Sequence, residues 1–221
     1  MYKACIFDLD GTLTDTLESL TYSVNKTLEE LKLPSITMDQ CRQFVGNGAK
    51  VLIELTLKAS GDEELTLMDL ATDTYARVFS ENCTYHVKPY DGILSMLDQL
   101  KEKGIKSAVL SNKPHNQTLD VVRTFLGKDR IECANGQREG IPRKPDPAGV
   151  FETMENLNVS KEETLYIGDS DVDMKTGKRA GVTTIGVTWG FRSREVLEEA
   201  GADYIIDRPE ELLELIQKEM K

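Results

Sequence analysis

Two short stretches hold aspartates at spacings that suit chemistry. "IFDLDGTLTDT", from Ile6 to Thr16, carries Asp8 and Asp10, and "GDSDVD", from Gly168 to Asp173, carries Asp169, Asp171 and Asp173. Each follows an apolar run of strand type, "KACIF" and "LYI". A third run, "IKSAVL", leads into Ser111, Asn112 and Lys113, and Lys144 stands in "RKPDP" before a helical stretch. Carboxylates, a hydroxyl and a lysine at strand ends make an inventory suited to phosphoryl transfer. Carboxylates gathered closely repel one another and shift towards their protonated forms. A hard divalent cation relieves this, and magnesium, with its preference for carboxylate and phosphate oxygens, fits the set. Asp8 and Asp169 are its natural protein ligands. Lys144 adds a compact positive charge. Ser111, with backbone N–H groups beside it at a helix start, can donate to phosphate oxygens, and Asn112 and Lys113 stand next to it.

Each residue has a plainer reading as well. Asp8 and Asp10 would serve as an acidic strand end, Ser111 as a turn residue, Lys144 and Lys113 as loop lysines, and Asp169 or Asp171 as a helix cap. What favours chemistry is the convergence of all of them on one edge of one sheet.

That edge must be built by the elements around it. "KACIF", "IKSAVLS", "IECA", "TLYIGDS", "TTIGVTW" and "DYIID" read as strands, alternating with helices from Ile93, Asn116, "PDPAGVFETMENL", Val172 to Ala180, "REVLEEA" and "PEELLELIQKEM". Alternation of this kind predicts an α/β fold with a doubly wound, Rossmann-like parallel sheet, whose ligands sit beyond the carboxyl ends of the strands. Between the first strand and the rest lies a block without strand signals. Leu17, Leu20, Val24, Leu28 and Leu31 recur at helical spacing, Asp15 with Glu18 and Thr37 with Gln40 suggest helix caps, and helices are expected after Gly48 and from Leu67 to Phe79. The organisation expected is a discontinuous core, 1–14 and 84–221, with an inserted small α-helical cap domain at 15–83.

The 221 residues include 39% hydrophobic and 29% charged, the make-up of a folded globular chain. The net charge of -11 argues against nucleic-acid binding, which needs a basic surface. It leaves an anionic substrate open, since a metal ion and one lysine make a site locally positive. No apolar run is long enough to span a bilayer and no signal pattern opens the chain, so a cytoplasmic protein without membrane partners is expected. The four cysteines form no C-x-x-C pair and are expected as reduced, buried thiols.

Taken together, "DLDGTLTDT", Ser111 in "VLSNKP", Lys144 in "RKPDP" and "GDSDVD" resemble the four ordered motifs of the haloacid dehalogenase-like (HAD) hydrolase superfamily. The resemblance covers essentially the whole chain. Within the superfamily, "FVGNG", "SNKP" and "GVTWGFRS" look most like the phosphoglycolate phosphatase group. It implies a magnesium-dependent phosphatase acting on a small phosphorylated metabolite, as a monomer or homodimer. Asp8 would be the nucleophile that forms an aspartyl-phosphate, and Asp10 the general acid and then base. Asp10 would meet the metal through its backbone carbonyl, alongside Asp8 and Asp169. Ser111, Asn112, Lys113, Lys144 and Gly11, where the chain turns from the strand, would contact phosphate or substrate, and Asp173 would orient metal waters or Lys144. The acid at position 10 also points away from dehalogenation, since a halide leaves without a proton. The alternatives are a β-phosphoglucomutase-like mutase, a pyrophosphatase or nucleotidase, and a catalytically silent phosphate-binding regulator. Gly168 stands where the usual mutase has an acid, which tilts the reading towards hydrolysis.

Overall fold

In the computed structural model, which describes residues 1–127 and 129–218, the first apolar run forms β1 (Ala4–Phe7). All four of its residues are buried because both faces are covered. Cys5 and Phe7 join one apolar cluster, while Ala4 and Ile6 join clusters on the opposite side. A two-residue strand, β2 (Thr14–Asp15), then leads into α1 (Leu17–Glu30), α2 (Met38–Phe44), α3 (Ala49–Ala59) and α4 (Met68–Asn82). The chain returns through β3 (Lys88–Pro89), which pairs antiparallel with β2.

From there helices and strands alternate: α5 (Ile93–Glu102), β4 (Lys106–Pro114), α6 (His115–Val121), β5 (Cys133–Gln137) and α7 (Ala148–Leu157). They continue as β6 (Thr164–Gly168), α8 (Asp171–Ala180), β7 (Thr183–Val187), α9 (Arg194–Glu199), β8 (Tyr204–Ile206) and α10 (Glu210–Lys218). The six longer strands form one parallel sheet in the order β5-β4-β1-β6-β7-β8. β1 is therefore central, and the winding reverses at its two flanks. This is the switch point at which an open parallel sheet leaves a crevice.

The helices from α1 to α4 bury an apolar cluster of their own. Leu17, Leu20, Val24 and Leu28 on α1 meet Leu52, Ile53 and Leu57 on α3 and Tyr75 and Phe79 on α4. The spacing of those leucines is what makes α1 a helix with one buried face. Thr37 and Gln40 form the expected capping box at α2.

Several local expectations differ from the structure. The box expected from Asp15 and Glu18 is absent. α1 starts after Thr16, and Asp15 Oδ1 instead accepts from Leu17 N at 3.3 Å. Asp15 is occupied by the β2–β3 ribbon, whose two-residue length leaves no alternation to read. Ser111, Asn112 and Lys113 lie inside β4 rather than after it, because β4 runs on to Pro114 through an irregular register with β5. β5 sits later than "IECA". Pro147 precedes α7 instead of lying in its first turn, and α6 ends in a wider π turn, Val122–Leu126. The closing helix was expected to reach Met220; residues 219–221 lie outside the described residues. All four cysteines are free thiols, three of them buried. Among the described residues, no helix is long and apolar enough to cross a membrane.

Candidate active site

β1 and β6 deliver two carboxylates side by side. Asp8 N donates to Ile167 O at 2.9 Å, so the chain stays tied to β6 for one residue beyond β1. It then turns at Gly11, whose φ of +91° favours glycine; a Cβ there would fall 2.4 Å from Asp169 Oδ2. Asp169 follows directly on β6 and is held at both oxygens, by Thr12 Oγ1 at 3.3 Å and by Phe191 N at 2.7 Å. It does not cap α8: that position belongs to Ser170, whose hydroxyl accepts from Asp173 N.

The Lys144 loop is clasped by β4. Lys144 N donates to Asn112 Oδ1 at 2.9 Å, and Asn112 Nδ2 donates back to Lys144 O at 3.1 Å. This fixes the lysine so that its Nζ lies 2.8 Å from Asp8 Oδ1 and 2.7 Å from Asp173 Oδ1. Asp8, Asp169 and Asp173 each offer an oxygen within 4.8 Å of the others, and all three are buried. The Lys144 ammonium pairs with two of the three carboxylates and leaves Asp169 without it, so the charge is not balanced. Burial pushes the Asp8 carboxyl up to about 7, with Lys144 pulling it down and Asp173 pushing it further up. Burial and then the charges of Asp173 and Asp8 hold Asp169 well above the usual carboxylate range. Lys144 is raised in spite of its burial, because Asp173 and Asp8 stabilise its charge. Excess buried negative charge on oxygen donors is what a hard divalent cation would neutralise, so the residues present fit magnesium.

Asp8, Asp169 and Lys144 floor a cavity of about 610 Å3 of empty space, part of it open to solvent, between the sheet edge and the helices α1–α4. Asp8, Asp10, Ser111, Asn112, Lys113, Lys144 and Asp169 all line it. Asp10 turns away from the carboxylate cluster and takes Lys113 Nζ at 3.0 Å. Lys113 in turn stands 4.7 Å from the centre of the Phe79 ring on α4, in cation–π range. The opposite wall is Leu20, Val45, Leu52, Tyr75 and Phe79, with Gly46 and Gly48 of "FVGNG" at its edge.

The residues singled out from sequence therefore meet, apart from Asp171, which pairs with Lys175 on the surface of α8. Asp173 lies behind the cavity, bonded to Lys144 and Ser170. His115 accepts from Gly136 N and His86 pairs with Glu18 at the surface. The segment 189–192 lies within "GVTWGFRS", where the sequence suggested packing for Trp189 and a solvated loop for Arg192 and gave neither a part in building the site. Trp189 Nε1 donates to Thr12 O, Phe191 N holds Asp169, and Arg192 reaches three carbonyls at the end of α2, Arg42 O at 2.7 Å, Gln43 O at 3.3 Å and Val45 O at 2.6 Å. Sequence reasoning missed Tyr75 and Phe79, which helical periodicity marks only as buried.

A family model described as haloacid dehalogenase-like hydrolase matches residues 5–187. The phosphoglycolate phosphatase of Aquifex aeolicus is 33% identical over 97% of this chain and 96% of its own length. That of Colwellia psychrerythraea is 35% identical over 96% and 95%. A crystal structure from Lactobacillus delbrueckii subsp. bulgaricus, of a protein provisionally described as a phosphoglycolate phosphatase, superposes with a TM-score of 0.89. It is 32% identical and the match covers 97% of this chain and 98% of that one. With its four motifs gathered at one sheet edge and nearly its whole length shared with such relatives, the chain belongs to the haloacid dehalogenase-like hydrolase family.

Proposed function

We propose that this chain is a magnesium-dependent phosphatase that hydrolyses a small phosphate monoester, with 2-phosphoglycolate as the first candidate, through an aspartyl-phosphate on Asp8. The observation that carries the reading is the position of Asp8: its carboxylate faces the cavity, 2.8 Å from Lys144 Nζ and within the cluster formed with Asp169 and Asp173. The phosphoglycolate phosphatases that match nearly the whole chain support the substrate.

Asp8 Oδ attacks phosphorus and the ester oxygen leaves, which divides one displacement into two easier ones. Asp10 lies off the carboxylate cluster, where its carboxylate pairs with Lys113; in its protonated form, parted from that lysine, it gives the departing alcohol a proton. The same carboxylate then takes a proton from the water that attacks the phosphoenzyme. Lys144 and Ser111 hold phosphoryl oxygens, and Asn112 keeps Lys144 in place through its two bonds to that residue's backbone. Asp8 and Asp169, with the Asp10 backbone carbonyl, would hold the magnesium ion, and Asp173 would steady Lys144 behind them. When bound, the ion supplies charge neutralisation at the phosphoryl oxygens. The helices at 15–83 act as a cap that closes over the site and excludes water.

A mutase reading finds no support at position 168. A Cβ there would lie 2.3 Å from Asp173 Cβ and Cγ, so no acidic side chain fits beside the buried Asp173. The test is phosphate release from a panel of monoesters, pyrophosphate and nucleotides, with magnesium and with a chelator. Steady, chelator-sensitive release from small monoesters is expected. Release from none of them would overturn the proposal.

A further inference from the structure

The cavity has two unlike halves. Its floor is charged, while the wall contributed by the helices at 15–83 is apolar except at one side chain, Tyr75. Tyr75 is 3% exposed and stacks on Phe79 with ring centres 5.2 Å apart. Its hydroxyl meets no hydrogen-bond partner among the described residues. Buried tyrosine hydroxyls ordinarily find one. The orphaned side-chain atoms that are wholly shut away are Thr16 Oγ1, Thr56 Oγ1, Ser60 Oγ and Glu152 Oε2. The Tyr75 hydroxyl is not among them, so open space reaches it, and the open space that Tyr75 borders is this cavity. Burial holds the hydroxyl's pKa well above its usual value, so at neutral pH it is a donor. On the floor opposite, Lys113 supplies the cation nearest Asp10, the group that meets the leaving oxygen.

We propose that Tyr75 is a specificity-determining residue, whose hydroxyl donates to a carboxylate-type acceptor on the leaving group while Lys113 offsets that acceptor's charge. The inference rests on the phosphatase reading above and narrows it to phosphate esters of small hydroxy acids. A polyol leaving group suits the wall poorly, because each of its hydroxyls needs a partner and the wall's side chains offer one. A plain alkyl group would leave the Tyr75 hydroxyl as unpartnered as before.

The test compares 2-phosphoglycolate with ethyl phosphate in the unaltered protein and in Tyr75→Phe. The substitution should lower the ratio of the two kcat/KM values about 10- to 100-fold, the loss expected for one hydrogen bond to a charged acceptor. Glycolate should inhibit ethyl phosphate turnover by the unaltered protein more tightly than ethylene glycol does, a measurement that needs no variant. It should lose about tenfold in potency against Tyr75→Phe. A ratio unchanged within about twofold, or equal inhibition by glycolate and ethylene glycol, would overturn the role of Tyr75 and leave the phosphatase standing. Absence of phosphate release from both esters would overturn the phosphatase reading itself.

Discussion

Asp8 and Asp10 are two residues apart and meet different surroundings. Asp8 is buried among carboxylates against Lys144, while Asp10 faces Lys113 on the cavity side. The difference gives a kinetic prediction. In Asp10→Asn, p-nitrophenyl phosphate, whose leaving group needs no proton, should still transfer its phosphoryl group, but the phosphoenzyme should lack its base. Rapid mixing should then show a burst of p-nitrophenol near one equivalent per enzyme, followed by turnover reduced about 10²- to 10⁴-fold. Lys144→Met removes the one cation from the cluster, and phosphate release should fall by about 10²-fold or more. Among single residues, the sequence made the charged cluster legible, because the types and spacing of Asp8, Asp10, Lys144 and Asp169 mark them out from their neighbours. It left Tyr75 and Phe79 unread. On a helix a buried aromatic looks the same whether it faces a core or a cavity, and only the packing of α4 over the sheet edge decides it.

The element that matters most beyond the motifs is the segment 189–192. It holds Asp169 through Phe191 N and the end of α2 through Arg192. The last carbonyls of a helix have no partner within it, and a guanidinium at that end meets both their hydrogen-bonding need and the helix dipole. Arg192 thus ties the proposed cap to the loop that positions a proposed metal ligand. Arg192→Ala should shift the cap towards an open state, with kcat/KM falling about 10-fold, as expected for losing charge-assisted hydrogen bonds, and Arg192→Lys should recover part of the loss. Steady-state kinetics on the three proteins checks this. The sequence shows an arginine in a loop and no more, since its partners lie about 150 residues away and are backbone atoms that any residue type would supply. The β2–β3 ribbon was hidden for a related reason. Two residues pairing with two others, at the points where the chain enters and leaves the helices, carry no periodicity. The parallel sheet was legible because each buried strand is a continuous apolar run bounded by turn residues.

At the scale of the molecule, the charged floor is an energetic cost in the metal-free state, since buried carboxylates outnumber the ammonium beside them. Ligand binding to the folded state alone raises stability by RT ln(1 + [L]/Kd), about 2.7 kcal/mol at a hundredfold excess over Kd. For a chain of this size that is roughly 5–10 °C in Tm. Magnesium added to chelator-treated protein should give a saturable rise of this order in a thermal melt, and Asp169→Asn should remove most of it. A Tm indifferent to magnesium would contradict the metal site. The central claim is that phosphate is released by way of the Asp8 carboxylate, and Asp8→Asn tests it most directly. The substitution keeps the shape of the side chain and removes the nucleophile. Steady-state phosphate release from the best monoester, in magnesium, should fall by at least about 10³-fold in a protein that still folds. Release within about tenfold of the unaltered protein would show that Asp8 is not the group that attacks phosphorus.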